Sequence, residues 1–347
     1  MSTANIGRKN WRAIFHSGNS IVTTVASRDV ERGRKFIREC QAEAAFEPPP
    51  AVFGGYEELI ASKNVDAIYF PLPTGLRRDW VVRAAEAGKH ILCEKPCSTS
   101  AADLEAMISA CWKNRVQFMD GVMFMHSQRL ARVRETLDDG VSVGQIKRIV
   151  SQFSFPGTEA FFQNNIRVNA ALEPAGCLGD LGWYNIRIAL WAVNWRLPRE
   201  VSARTLAQTD SRVPTDFSAE LLFDGGVSAG LYCSFINFRQ QWVNVSGTKG
   251  YLQIPDFVNP FHGGELGFEV LNIGLDGYNN LPNARRVTIA EHGNGHPTAQ
   301  ESNMFRNFAN QVFSGKLNDD WPMWALKTQQ VMDACLESAR RNSPVKI

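Results

Sequence analysis

Three residues of this chain have types and settings suited to moving a proton beside a reacting carbon. Lys95 follows the apolar run Ile91-Leu92-Cys93 and stands between Glu94 and Pro96. A lysine at the end of a buried strand can donate a proton or hold a negative charge next to a bound ligand; it can also be one more surface lysine. The other two lie in Gly179-Asp180-Leu181-Gly182-Trp183-Tyr184. On a helix from Asp180 to about Trp195, Asp180 and Tyr184 are four apart and share a face, so a carboxylate and a phenol could relay a proton to a carbonyl. The alternative is an N-cap plus a core tyrosine. His126, in Met123-Phe124-Met125-His126, either lines a pocket or belongs to a Met/Phe core stripe.

The elements that must position these groups can be read from pattern. Asp66 to Pro71 is a short buried strand, Leu76 to Ala87 a helix stopped by Gly88, and His90 to Cys93 the next strand, which makes a strand-helix-strand unit. Ahead of it, Ile21 to Ser27 is a β-branched strand, Asp29 to Gln41 an Asp-capped helix, Ala51 to Phe53 a third strand and Tyr56 to Ser62 a helix. After it come the helix Ala102 to Trp112 and the strand Val116 to Gly121. Such alternation gives an α/β fold, a Rossmann-type doubly wound parallel sheet in residues 1–121. In such a sheet a glycine-rich turn binds the pyrophosphate. Here Ser2-Thr3-Ala4-Asn5-Ile6-Gly7 occupies that place, with small residues at only some of the required positions and no strand before it. The first strand therefore reads as truncated, and Met1 is expected to be an internal methionine of a longer reading frame. At the end of the second strand, Ser27 and Arg28 offer a hydroxyl and a guanidinium to a 2′-phosphate, which favours NADP; Asp29, one residue on, offers the NAD alternative.

Residues 122–347 read as a second domain of α+β type, with strands Ile146 to Phe155, Val201 to Ala207, Phe217 to Phe223, Val227 to Phe238, Gln241 to Gly247 and Gly250 to Ile254. Asp224-Gly225-Gly226 is a hairpin turn. The result is an open, mainly antiparallel sheet, closed by helices Asn303 to Phe313 and Met323 to Asn342. His292 and His296, separated by Gly293-Asn294-Gly295, read as a flexible loop rather than a metal pair.

Glu94-Lys95-Pro96 after the fifth strand, the Asp180-Leu181-Gly182 motif and the two-domain order together resemble the glucose-fructose oxidoreductase, inositol dehydrogenase and rhizopine-catabolism family over nearly the whole chain. Tyr184, where many members carry histidine, and the Ser27-Arg28 pair are similar to the dimeric dihydrodiol dehydrogenase and NADP-dependent D-xylose dehydrogenase branch. The resemblance implies a cofactor site of Thr3, Ala4, Asn5, Ile6, Ser27, Arg28, Pro71, Leu72, Pro73, Thr74, Glu94 and Lys95. It implies a proton-transfer set of Lys95, Asp180 and Tyr184, and a substrate pocket with His126, Trp183 and Tyr184. Arg77 stands where the family commonly has a histidine after the proline loop. It further implies a cis bond before Pro96 and a homodimer formed through the open face of the second domain's sheet. The implied activity is NADP-dependent hydride transfer to or from a carbinol or carbonyl carbon of a sugar, cyclitol or trans-dihydrodiol. The alternatives are an inactive NAD(P)-binding regulator of the same fold and, third, a reductase of a non-sugar such as a tetrapyrrole.

Composition narrows the classes. With 37 basic against 35 acidic residues the net charge is only +2, and no basic block calls for nucleic acid or an anionic membrane. No apolar run reaches the roughly 18 residues of a membrane span; Leu181 to Leu197 comes nearest and is interrupted by Asn185, Arg187, Asn194 and Arg196. Seven scattered cysteines without a Cys-x-x-Cys pair fit reduced thiols and no zinc site, which leads to the expectation of a cytoplasmic protein.

Overall fold

The computed structural model describes residues 1–261, 265–276, 279–293 and 295–347. The chain forms two units, residues 1–126 with 292–326 and residues 127–291 with 327–347. The crossing thus falls after His126 rather than after Gly121, and a late segment returns to the first unit. Sequence pattern alone offered a single cut, because nothing local tells which core a helix will join.

In the first unit the elements are α1 (Asn5–Ser17), β1 (Thr24–Ala26), α2 (Val30–Gln41), β2 (Ala51–Phe53), α3 (Tyr56–Ala61), β3 (Ala67–Phe70), α4 (Arg77–Glu86), β4 (His90–Cys93), α5 (Ala101–Lys113) and β5 (Phe118–Asp120). From β1 onward each matches a sequence expectation to within a few residues; β1 and β5 are the shortened ones, three residues each where seven and six were expected. Helix ends follow local chemistry. Asp29 caps α2 by accepting from the Arg32 amide at 3.0 Å, and Gly88, at φ 76°, ends the chain's excursion after α4.

The parallel sheet of this unit is in two pieces: β1 pairs with β2, and β3, β4 and β5 form a trio with β4 in the middle. The two pieces correspond to strands on either side of the sheet's centre in a doubly wound fold.

The second unit carries α6 (Gln128–Asp138), β6 (Ile146–Ser154), α7 (Glu159–Asn164), α8 (Trp183–Ala192), β7 (Glu200–Gln208), β8 (Pro214–Phe223), β9 (Val227–Ser234), β10 (Gln240–Gly247), β11 (Tyr251–Ile254), β12 (Leu266–Asp276) and β13 (Asn279–Ile289). Next come α9 (Gln300–Phe313), which belongs to the first unit, α10 (Asp320–Arg341), which runs across the boundary between units, and the terminal β14 (Val345–Lys346). One nine-stranded sheet results, in the order β13-β12-β11-β10-β6-β9-β8-β7-β14. It is antiparallel except between β6 and β9. Buried and half-exposed residues alternate along β8 and β9, as a sheet covered on one face requires. Strands β12 and β13 were not expected, since Gly267, Gly274 and Pro282 dilute their pattern.

Behind β4 and β5, residues Leu92 and Met119 are packed against Ala13 of α1, Met304, Phe305 and Phe308 of α9, and Trp321. Among the described residues no helix is long and apolar enough to cross a membrane.

Candidate functional site

The strand β4 is flanked on both sides, so the loop at its carboxyl end starts from a fixed point. Its next residues are held from several directions. Arg77, buried in the first turn of α4, donates from Nε to the Leu72 carbonyl at 2.7 Å and from Nη1 to the carbonyls of Glu94 (2.5 Å) and Pro96. Thr74 Oγ1 adds a bond to the Pro96 carbonyl at 3.3 Å. The guanidinium therefore fastens the Pro71-Leu72-Pro73-Thr74 loop to the Glu94-Lys95-Pro96 loop. Three converging carbonyls satisfy a buried charge that would otherwise be costly. The Lys95–Pro96 peptide is cis.

Glu94 is turned into the protein. Its carboxylate accepts from Tyr69 Oη at 2.5 Å and from Asn10 Nδ2 at 3.3 Å, and Asn10 also donates to Tyr69 Oη at 2.6 Å. Gly121 borders this carboxylate: a Cβ there would come within 3.2 Å of it. Burial first, and then the negative charge of Glu94, push the Tyr69 phenol well above its ordinary value. Tyr69 thus stays a hydrogen-bond donor to Glu94. Lys95, between two buried neighbours, is itself only half-buried.

At the amino end, α1 starts without a side-chain cap and without an acidic residue in its first turn. Asn5 and Ile6 are exposed there, so the amides of that 13-residue helix are suited to an anion. The Ala4 amide reaches Ser2 Oγ at 3.0 Å. Ser2 has φ 140°, a backbone region that favours glycine, at the place where the dinucleotide motif has its first glycine. Gly7 fits its role better: a Cβ there would meet the Phe36 ring at 3.3 Å. Beyond β1, Ser27 is buried, Arg28 and Asp29 are exposed, and one Asp29 oxygen is committed to capping α2. Anion-facing amides followed by a hydroxyl and a guanidinium form a donor set that fits a phosphorylated dinucleotide.

His126 ends a single helical turn. Its Nδ1 lies 3.1 Å from Asn307 Nδ2 and its ring meets Trp321 edge to face at 6.0 Å. Both border a cleft with Met125, Asn310, Gln311 and Trp324.

In the second unit the expected helix from Asp180 does not begin as an α-helix. Leu178–Gly182 is a π-turn that runs into α8. The turn lies close on β9: a Cβ on Gly182 would meet Leu178 Cδ1 at 2.6 Å and Cys233 Sγ at 3.2 Å. This is a physical reason for glycine in Asp-x-Gly, because a side chain there would have to displace the Leu178 and Cys233 side chains. π-Turns within helices recur at functional sites. Asp180 is not simply a cap: its Oδ2 pairs with Arg167 Nε at 2.8 Å. The charge of Asp180, above all, holds the Arg167 guanidinium above its ordinary value, and Glu173 and Tyr184 act in the same direction. Tyr184 is buried, edge to face with Phe153 at 5.6 Å between centroids. Trp183 is fully buried and its indole N–H has no hydrogen-bond partner among the described residues.

Lys95 thus lies on the loop after β4, Asp180 in the π-turn and Tyr184 in the first turn of α8; sequence reasoning missed Arg77 as a clamp, Tyr69 and Asn10 as the Glu94 partners, and Arg167. Arg77 opens the charged stretch Arg77-Arg78-Asp79, so residue type alone did not mark it as the inward-turned one. Arg167 gave no signal either, since its partner is 13 residues away across an irregular segment. His292 and His296 lie with ring centroids 4.4 Å apart, with His296 Nδ1 bonded to Thr298; Asn294 between them is outside the described residues.

Comparison with known proteins gives the family and the fold. Residues 3–122 match the oxidoreductase family with an NAD-binding Rossmann fold, GFO_IDH_MocA, and residues 130–253 match the GFO/IDH/MocA C-terminal domain. The chain is 31% identical to D-xylose 1-dehydrogenase (NADP(+)) 2 of Haloferax volcanii over 77% of its own length and 78% of the relative's. It is 29% identical to trans-1,2-dihydrobenzene-1,2-diol dehydrogenase of Xenopus laevis over 68% of each. A 3-ketoreductase of Actinomadura kijaniata, solved with NADP and TDP-benzene, superposes with a TM-score of 0.82 at 25% identity, covering 97% of this chain and 95% of that one.

Proposed function

The chain belongs to the GFO/IDH/MocA family of oxidoreductases, and from that premise we propose that it is an NADP-dependent dehydrogenase or reductase acting on a sugar, cyclitol or trans-dihydrodiol. The observation that carries this reading is the Arg77-fastened loop that holds Glu94, Lys95 and Pro96 beyond the middle strand of the parallel trio. Ligands of such sheets bind beyond the carboxyl ends of the strands.

In this proposal the α1 amides take the pyrophosphate, with Thr3, Ala4, Asn5 and Ile6 as the turn, and Ser27 and Arg28 take the 2′-phosphate. Pro71 to Thr74 and Glu94 shape the nicotinamide end. When bound, the nicotinamide accepts a hydride from the carbinol carbon or returns one to a carbonyl. The chain's part is the proton. Lys95 or Tyr184 removes it from the hydroxyl as the C–H bond breaks, and restores it in the reverse direction. Where Tyr184 takes the proton, Lys95 keeps its own and its charge stabilises the developing alkoxide. Asp180, fixed by Arg167, supplies a set negative charge, and His126 contributes to the substrate pocket, whereas Trp183, expected there from sequence, is fully buried and serves the core. The proposal extends to a homodimer through the uncovered face of the nine-stranded sheet. Seven free, buried cysteines support a reducing compartment such as the cytoplasm.

The divided parallel sheet favours a second reading, a cofactor-binding protein of the same fold without turnover. The test is binding of NADPH and NADH, followed by turnover with a panel of aldopyranoses, cyclitols and trans-dihydrodiols. NADP-linked turnover that disappears in Lys95→Met supports the enzyme. NADPH binding with no turnover supports the regulator, and absence of binding by either nucleotide removes both.

A further inference from the structure

We propose that Arg167 is a positioning residue for the proton step: it holds Asp180 ionised and in one place, and its charge offsets that of Asp180 so that Tyr184 can give up its proton. The inference rests on the proposed function and adds a residue to that site. The first argument is how Arg167 is held. It lies on the single turn Ile166–Val168, separated from α7 by Asn165 alone. None of the α7 residues is buried, yet the segment is pinned. Thr158 Oγ1 accepts from the Phe161 amide at 3.2 Å, Asn165 Oδ1 from the Arg167 amide at 3.0 Å and Asn169 Oδ1 from the Ala171 amide at 3.0 Å. The Phe161 ring packs on Phe155 and Phe235 at 5.5 and 5.1 Å between centroids.

This seat adjoins Tyr184. Pairing with β9 continues past β6 through Phe155, whose amide donates to the Ser234 carbonyl at 3.0 Å. Phe153 and Phe155 are two apart in that extended run, so they share a face, about 7 Å from each other. Tyr184 rests on the first and Phe161 on the second.

The second argument is charge. Arg167 Nε lies 2.8 Å from Asp180 Oδ2, with the arginine side chain 44% exposed and the aspartate 16%. An ion pair so open to water adds little to stability; its larger consequence is for the groups it faces. Asp180 above all, then Glu173 and Tyr184, raise the hold of Arg167 on its proton. The coupling is mutual, so the guanidinium favours the anionic form of each. Without it, an ionised Asp180 would oppose loss of the proton from Tyr184, four residues on, because two negative charges would then stand a helical turn apart. On the sheet side Tyr184 meets Phe153, which carries no charge, and the proposed function brings one more cation, Lys95. In the oxidising direction the substrate O–H bond breaks and the Tyr184 Oη–H bond forms while the hydride passes to the oxidised nicotinamide; in the reducing direction both return.

The test is a double-mutant cycle on the full chain, read by tyrosinate ultraviolet absorbance, which needs neither cofactor nor turnover. Each chain is titrated upward to the pH at which it unfolds, and its Tyr184→Phe counterpart is subtracted, which isolates one of six tyrosines. Tyr184 should ionise while the unsubstituted chain is still folded. Arg167→Met, or Arg167→Gln as a second neutral variant, should move that ionisation up by about one pH unit or more. Asp180→Asn should move it down, the double variant should lie close to the unsubstituted chain, and Arg167→Lys should restore most of the shift. In turnover, Arg167→Met should lower kcat by about tenfold, the counterpart of one pH unit, with KM within about twofold. A Tyr184 that does not ionise in the folded chain, a titration indifferent to Arg167, or a loss carried by KM instead overturns the proposal. NADP-linked turnover with an indifferent titration retires this inference and leaves the proposed function standing; the predicted titration without turnover on any substrate does the reverse.

Discussion

The two sheets of this protein solve the same problem unequally. In the second unit each of nine strands is paired in one continuous sheet, and the Asp180 turn rests on β9 with glycine spacing that leaves no slack. In the first unit the sheet is divided, and its two pieces differ in turn. The trio β3-β4-β5 is complete around β4, and the loop it launches is fastened by Arg77, Tyr69 and Asn10. The pair β1-β2 has only three residues in each strand and stands beside an open edge. The groups proposed to handle the proton therefore hang from complete sheets, whereas the groups proposed to hold the 2′-phosphate hang from the incomplete piece. Chemistry and cofactor capture should fail separately.

The sharpest way to test that separation is Lys95→Met. Turnover should fall by about 10²–10⁴-fold, the range for loss of a proton-transfer group, with unfolding temperature and NADPH affinity little changed. A variant that loses cofactor binding as much as turnover would show the two regions to be one. Next in size is a pH effect confined to the open edge. For the chain beginning at Met1, the folded amine sits near 5 against an ordinary value of 8.0. Between these values the unfolded amine binds a proton that the folded one does not, so unfolding takes up a proton and stability falls as pH drops from about 8 to about 5. Three pKa units correspond to on the order of 4 kcal/mol. Urea midpoints across this range, compared with those of an amino-acetylated chain, isolate the effect; identical slopes would remove it.

Arg77→Met probes the complete half. Three buried carbonyls lose their donor, and the expected cost is about 3 kcal/mol, read as a lower urea midpoint at unchanged m-value. A cost near zero would mean that the loop is held by packing alone. Arg28→Ala is the smallest: NADPH affinity should drop by about tenfold while NADH affinity holds. If NADPH binding is indifferent to the change, the ribose end is read by Asp29 instead.

Much of this was legible in the chain itself, and the reasons are local. The Asp29 cap, the Gly88 stop, the Asp224-Gly225-Gly226 hairpin and the apolar run ending at Cys93 each carry their geometry in a few consecutive residues, so strands and helices fell close to their places. Lys95 and Asp180 were visible because each follows an element whose end is marked. Strands β12 and β13 were not visible, since glycine and proline blur a pattern that only pairing with β11 restores. The π-turn at Leu178–Gly182 was hidden as well, since it packs on β9, a neighbour that the local sequence does not name.

The sequence by itself determined the succession of elements and the candidate proton-transfer groups, because these depend on residue type and on spacing along the chain. Only the tertiary structure decided what those groups touch. Arg77 was turned inward to three carbonyls, Glu94 was given to Tyr69 and Asn10, Arg167 was brought to Asp180, and the Met1 amine was buried against the Tyr69 carbonyl. Such contacts join residues distant in sequence, and a buried charge or an unpaired strand edge acquires its cost only once folding has removed the water around it.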